Sequence, residues 1–118
     1  MVEQNSDIRG VVEHILQLAG YMTVGVASAI QAQELTARQL PDVILVDLGL
    51  VGIDGFKFAR MLRASPLTQH IPLLGITSHP IEDDEVRAMA AGFDGLVSKP
   101  IQRVELLNAI TSILGRDS

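Results

Sequence analysis

One short stretch limits the fold more than any other. From Pro41 to Gly55 the chain reads PDVILVDLGLVGIDG, and Val43 to Val46 contains no polar residue. So short an apolar run, entered from a Pro-Asp turn and left through Gly49, Gly52 and Gly55, suits a strand buried on both faces, as in a parallel sheet. Asp47 stands where that strand emerges. In open α/β sheets, ligands and chemistry gather at the carboxyl ends of the strands, so Asp47 is a candidate site residue; an aspartate there would equally serve to cap the turn.

The rest of the chain alternates around this strand. Asn5, Ser6 and Asp7 offer capping oxygens, and apolar residues at helical spacing from Ile8 to Ala19 predict a helix of about 13 to 15 residues ending at Gly20. Tyr21 to Ala27 has the β-branched content of a short strand, weakened by Gly25. A second helix is expected from Ser28 to about Arg38, with Ala29, Ala32, Leu35 and Ala37 inward. A third runs from Gly55 to Ala64, capped by Asp54, with Phe56, Ala59 and Leu62 on one face. Ile71 to Ile76 is a second buried strand, ending in Thr77, Ser78 and His79. Pro80 opens a helix with Glu82 to Glu85 in its first turn, where acids suit the helix dipole, and Gly92 stops it. The strand Gly95 to Ser98 leads to Lys99-Pro100, and a last helix carries Val104, Leu107, Ile110 and Leu114 on one stripe. Five helices alternating with parallel strands through short connections predict a single α/β domain over residues 1–118 with helices on both faces. Only Met1 and Val2 precede the first helix as candidates for a strand.

Composition removes several classes. The chain has no cysteine, which excludes disulfides, thiolate nucleophiles and the usual zinc sites, and agrees with a cytoplasmic location. Fourteen acids against nine bases, for a formal charge of -5, leave no cationic face for nucleic-acid phosphates. No apolar run approaches the ~20 residues of a membrane span. His14, His70 and His79 are too scattered for a metal cluster, and His79 is read as an exposed loop residue. The glycines at 49, 52 and 55 lack the lysine and hydroxyl of a P-loop and read as a turn.

Five elements in order carry a family resemblance. They are the buried strand ending in Asp47, Gly52-Ile53-Asp54-Gly55, the strand ending in Thr77, Ala91-Gly92-Phe93-Asp94-Gly95, and Lys99-Pro100. Over essentially its whole length the chain resembles the receiver domains of two-component response regulators, which share the fold of the chemotaxis regulator CheY. The resemblance implies a doubly wound, flavodoxin-like parallel sheet of order 2-1-3-4-5, its first strand here reduced to a stub. It also implies that Asp47 accepts a phosphoryl group from a sensor histidine kinase or histidine phosphotransfer protein, with Thr77 and Lys99 contacting the phosphoryl oxygens. Mg²⁺ would be held by Asp47, by an acid at the end of the first strand and by the Gly49 backbone carbonyl, a set of oxygen ligands that suits magnesium. Such a domain signals by altered binding to a downstream protein and is not an enzyme in the ordinary sense, though its own phosphorylation and dephosphorylation would be self-catalysed; dimerisation is left open.

The sequence departs from that family at four places. Where the family has an adjacent acidic pair, this chain has Glu3-Gln4, so the position of a direct metal ligand carries no charge and weak Mg²⁺ binding is expected. Leu96 stands where an aromatic usually moves with Thr77, and leucine cannot repeat an aromatic's polar contact. Val51 replaces the usual proline before Gly52. The first strand lacks the apolar residues expected before Glu3, which implies a late start or a trimmed chain, a strand supplied by another copy, or a domain stable without it. A degenerate receiver that binds partners without phosphorylation is therefore the alternative reading. A small doubly wound enzyme or cofactor binder fits less well: Gly49 stands where an aspartyl phosphatase has its second acid, Arg9 where a cobalamin domain has histidine, and no flavin phosphate loop follows the first strand.

Overall fold

The structure, a computed structural model, describes residues 1–3, 5–48, 55–78 and 81–115. The helices are α1 (Ser6–Leu18), α2 (Ala29–Arg38), α3 (Gly55–Ala64), α4 (Ile81–Ala91) and α5 (Arg103–Gly115), and the strands are β1 (Ile44–Asp47), β2 (Leu73–Thr77) and β3 (Gly95–Ser98). Local chemistry sets the expected boundaries. Asn5 Oδ1 accepts from the Asp7 and Ile8 N–H groups at 2.9 and 3.2 Å, and Ser28 Oγ caps α2 through the Gln31 N–H at 3.3 Å. Gly20 and Gly92, at φ of 95° and 108°, turn the chain out of α1 and α4 in a conformation that other residues rarely take.

β1, β2 and β3 are parallel neighbours in that order, and Val2 extends the sheet past β1 by bridging to Val46 on one side and Val26 on the other. The stub therefore occupies the central first-strand place of the expected 2-1-3-4-5 order. It is well tied. The Val2 N–H donates to Leu45 O at 2.7 Å, Asp47 N–H to Val2 O at 3.0 Å, Glu3 N–H to Val26 O at 3.0 Å and Val26 N–H to Met1 O at 2.9 Å. The Met1 amine reaches Val24 O at 2.8 Å, and burial lowers its pKa. The strand expected over Tyr21 to Ala27 is reduced to the single bridging residue Val26, because its partner along this edge is only a stub.

Strand alternation divides the core in two. Ile44, Val46 and Leu73 face α2, α3 and α4, packing with Ala29, Ala32, Phe56, Phe58, Ala59, Leu62, Ala88 and Ala91. Leu45, Leu74, Ile76 and Val97 face α1 and α5, packing with Val12, Leu16, Leu106, Ile110 and Ile113. Two expected faces need correction. Ala37 is exposed, and the buried stripe of α5 is Leu106, Ile110 and Ile113, with Val104 71% exposed. Apolar residues surround this last helix so fully that their spacing alone did not pick the core side. No described helix is long and apolar enough to cross a membrane.

Candidate functional site

Three consecutive parallel strands deliver their last residues to one edge of the sheet. β1 ends at Asp47, opposite Ile76; β2 ends at Thr77, opposite Ser98; Lys99 follows at once. The Lys99 N–H donates to Thr77 O at 2.8 Å, which fastens the turn leaving β3 to the end of β2. Lys99-Pro100 is a cis peptide bond.

From this turn the Lys99 ammonium reaches across the sheet edge, donating to Asp47 Oδ2 at 2.8 Å and lying 3.6 Å from Glu3 Oε2. Asp47, Thr77 and Glu3 are 5%, 1% and 1% exposed, so these polar side chains lie where water is largely excluded and their interactions are stronger than at the surface. Of the residues expected at the site, Glu3, Asp47 and Lys99 are brought into contact, and Thr77 stands at the end of the neighbouring strand. Gln4, Gly49, Gly52, Asp54 and His79 lie outside the described residues, as do the side chains of Glu82 to Asp84.

Burial first, and then the adjacent Asp47, raise the Glu3 carboxyl from 4.5 to about 7 against the opposing pull of the Asn5 N–H and the Lys99 charge. For Lys99, burial alone would lower the pKa, but its hydrogen bond to Asp47 and the charges of Asp47 and Glu3 outweigh that, leaving a net increase. Glu3 Oε1 accepts from Asn5 N–H at 3.0 Å, while Glu3 Oε2 is buried and has no hydrogen-bond partner. A buried carboxylate oxygen without a donor, next to the acid at the end of β1, fits the hard-cation chemistry of Mg²⁺.

Two contributions were not legible in the sequence. Arg9 Nη1 donates to the Glu3 carbonyl at 2.7 Å. At the opposite end of the sheet, Arg63 donates to Gly92 O, Gln69 O, Ile71 O and Asp94 Oδ2 at 2.7 to 3.0 Å, joining the ends of α3 and α4. Asp94 also accepts from the Leu73 N–H at 2.8 Å. Backbone carbonyls from several loops leave no spacing signal by which an arginine could be singled out. Leu96 packs on the α3 side of the sheet, where its Cδ2 lies 2.6 Å from the place a Cβ on Gly75 would occupy.

Residues 1–111 match the family of the response regulator receiver domain. Among curated relatives, the phosphate regulon transcriptional regulatory protein PhoB of Pseudomonas aeruginosa is 30% identical over 116 residues; the chain spans about half of its length, 51%. The polar-differentiation response regulator DivK of Brucella ovis is 29% identical, with 98% of this chain and 94% of DivK covered. Among solved structures, a response regulator from Chloroflexus aurantiacus superposes with a TM-score of 0.93 at 30% identity, covering 98% of this chain and 94% of that one. The receiver domain of the Pseudomonas aeruginosa sensor histidine kinase PA1611 has a TM-score of 0.86 at 32% identity, covering 97% and 93%, and holds a magnesium ion in its active-site cleft. With fold, site order and family match in agreement, the chain belongs to the receiver domains of two-component response regulators.

Proposed function

We propose that this receiver domain takes a phosphoryl group on Asp47 from a sensor histidine kinase or histidine phosphotransfer protein, and passes the signal on by altered binding to a downstream protein. The observation that carries the reading is the 2.8 Å contact of Lys99 Nζ with Asp47 Oδ2 at an edge that also buries Glu3 and Thr77. A carboxylate oxygen of Asp47 attacks the phosphorus of a phosphohistidine. The new O–P bond forms as the N–P bond breaks, and the electron pair leaves on the donor's imidazole nitrogen. Charge then sits on the equatorial phosphoryl oxygens, where the Lys99 ammonium and the Thr77 hydroxyl would offset it; such transfers depend mainly on position and electrostatics. Mg²⁺, held by Glu3, Asp47, the Gly49 carbonyl and the amide of Gln4, would neutralise further charge on the same oxygens.

The degenerate alternative draws on Gln4 and Leu96, both away from the family's usual residues. Intact-mass measurement after incubation with acetyl phosphate and Mg²⁺ separates the two. One added phosphoryl mass is expected on the parent and none on Asp47→Asn; an unmodified parent, beside a competent receiver treated alike, would leave the interaction module as the reading.

The charge count at the metal makes a second expectation. With Gln4 in place, two carboxylates face a 2+ ion instead of three. Gln4→Asp should tighten Mg²⁺ binding by roughly tenfold, the effect of one added ligand charge in a partly buried site. Calorimetric titration near pH 8, where Glu3 is ionised, checks it, and equal affinities for variant and parent would refute it.

A further inference from the structure

Gly25 breaks the β-branched run from Tyr21 to Ala27, and the use of that break lies in what crosses it. A Cβ at Gly25 would sit 2.9 Å from both Cγ and Cδ of Arg9 and would collide with Glu13 Oε1. Arg9 and Glu13 stand one turn apart on α1, so the helix lays both side chains across the bare backbone of residue 25. Having crossed it, the Arg9 guanidinium donates to the Glu3 carbonyl at 2.7 Å.

The Glu3 peptide and side chain are held from three directions. Its N–H is fixed to Val26 O at 3.0 Å, its carbonyl to Arg9, and its Oε1 by the Asn5 N–H at 3.0 Å. Among the described residues Oε2 has no hydrogen-bond partner, and it meets the Lys99 charge as an ion pair at 3.6 Å. The carbonyl Arg9 holds also belongs to the peptide bond leading into Gln4. Freed from Arg9, that peptide could rotate and take the aim of the Glu3 carboxylate with it. Groups that orient the ligands of a metal commonly matter to its affinity almost as much as the ligands do.

We infer that Arg9 is a positioning residue for the acid end of this site. Its guanidinium fixes the Glu3 carbonyl, and Gly25 is the gap that lets its stem pass. The inference rests on the reading of Glu3 and Asp47 as parts of a Mg²⁺-dependent phosphoacceptor site.

The test uses Arg9→Met, which keeps the stem but removes every donor, Arg9→Lys, which restores one cationic donor, and Gly25→Ala, which obstructs the stem. Mg²⁺ affinity is read by NMR titration without any phosphodonor, alongside hydrogen exchange at the Asn5 amide, the thermal midpoint and phosphorylation by acetyl phosphate. Arg9→Met should weaken Mg²⁺ binding roughly tenfold, the range found when such orienting groups are removed. It should also speed Asn5 exchange, with little change in thermal midpoint. Arg9→Lys should recover part of both losses, and Gly25→Ala should reproduce them. Mg²⁺ affinity and Asn5 exchange in Arg9→Met within about twofold of the parent would overturn the inference, as would losses that merely follow a fall in thermal stability and that lysine does not rescue. A parent that binds Mg²⁺ with this Arg9 dependence but takes no phosphoryl group would refute the phosphoacceptor reading and leave the positioning role standing. A parent that binds no Mg²⁺ would remove the role.

Discussion

Lys99→Met should slow phosphorylation of Asp47 by acetyl phosphate roughly 10² to 10³-fold, the usual loss when one preorganised donor is taken from a buried transfer site. Its effect on stability should depend on pH, with a sign set by Glu3 and Asp47. Lys99 is the cation that touches both, at 3.6 and 2.8 Å, and both acids are at most 5% exposed. Breaking a buried pair by removing one partner costs about 3 to 5 kcal/mol when the remaining charge cannot be neutralised. Here a proton can partly stand in for the lost ammonium. The Glu3 carboxyl already titrates at about 7 with Lys99 present, because burial and Asp47 raise it, and removal of the cation raises it further. A group whose pKa is raised on folding binds more protons in the native state, so the variant's stability is greatest at low pH and is lost as pH rises through the raised value.

In metal-free buffer the deficit of Lys99→Met should therefore be about 2 to 3 kcal/mol near pH 8 and under about 1 kcal/mol near pH 5. Denaturant unfolding at the two pH values checks it. A deficit equal at both, or larger in acid, would contradict the shared-proton account. Glu3→Gln in the same background should flatten the pH dependence, since it removes the group that takes up the proton.

The residues of this site were legible because their chemistry lies next to strand ends, and strand ends were marked by apolar runs with abrupt polar exits. Asp47 after Ile44 to Val46, Thr77 after Leu73 to Ile76 and Lys99 after Gly95 to Ser98 follow one pattern three times. Parallel pairing in register then brings the three exits together. The limits of the sequence fall where periodicity or locality fails. α5 carries apolar residues at Val104, Leu106, Leu107, Ala109, Ile110, Ile113 and Leu114, so a stripe through Val104 and one through Leu106 looked alike until β2 and β3 chose between them. Tyr21 to Ala27 has strand composition, but strand pairing needs a partner, and Met1 to Glu3 supply one only around Val26. Glu3, next to a chain terminus, would be expected to fray; two backbone ladders bury it instead. Arg9 acts on a carbonyl group, which every residue has, so no residue type at the partner position could announce it, and three of the four groups that Arg63 holds are carbonyls too, with Asp94 the fourth.

Gly55→Ala should destabilise the domain by about 2 kcal/mol although it places the best helix former in the first turn of a helix. Two effects compete. In an open helix, replacing Gly by Ala stabilises by about 0.5 to 1 kcal/mol, because alanine loses less backbone freedom on folding. At Gly55, however, the new methyl would lie 2.6 Å from Leu48 Cα and 2.9 Å from Asp47 O. Both are backbone atoms that no change of rotamer can move. The Gly55 N–H also donates to Leu48 O at 3.2 Å, so the start of α3 and the exit of β1 are held in contact from both sides. Relief of the clash must therefore shift either the helix or the Asp47–Leu48 peptide, and overpacking of this kind costs about 1 to 3 kcal/mol or more, outweighing the entropic gain. The second choice moves Asp47, the proposed phosphoacceptor, away from Lys99, and a displacement of about 1 Å at a reacting group can cost about 10²-fold in rate. Gly10→Ala is the control, since a Cβ there meets nothing within 4 Å on the exposed side of α1. It should raise stability by about 0.5 to 1 kcal/mol and leave phosphorylation unchanged. If Gly55→Ala behaved like Gly10→Ala in denaturant unfolding and in acetyl phosphate kinetics, the close packing of α3 on the end of β1 would not be what holds Asp47 in place.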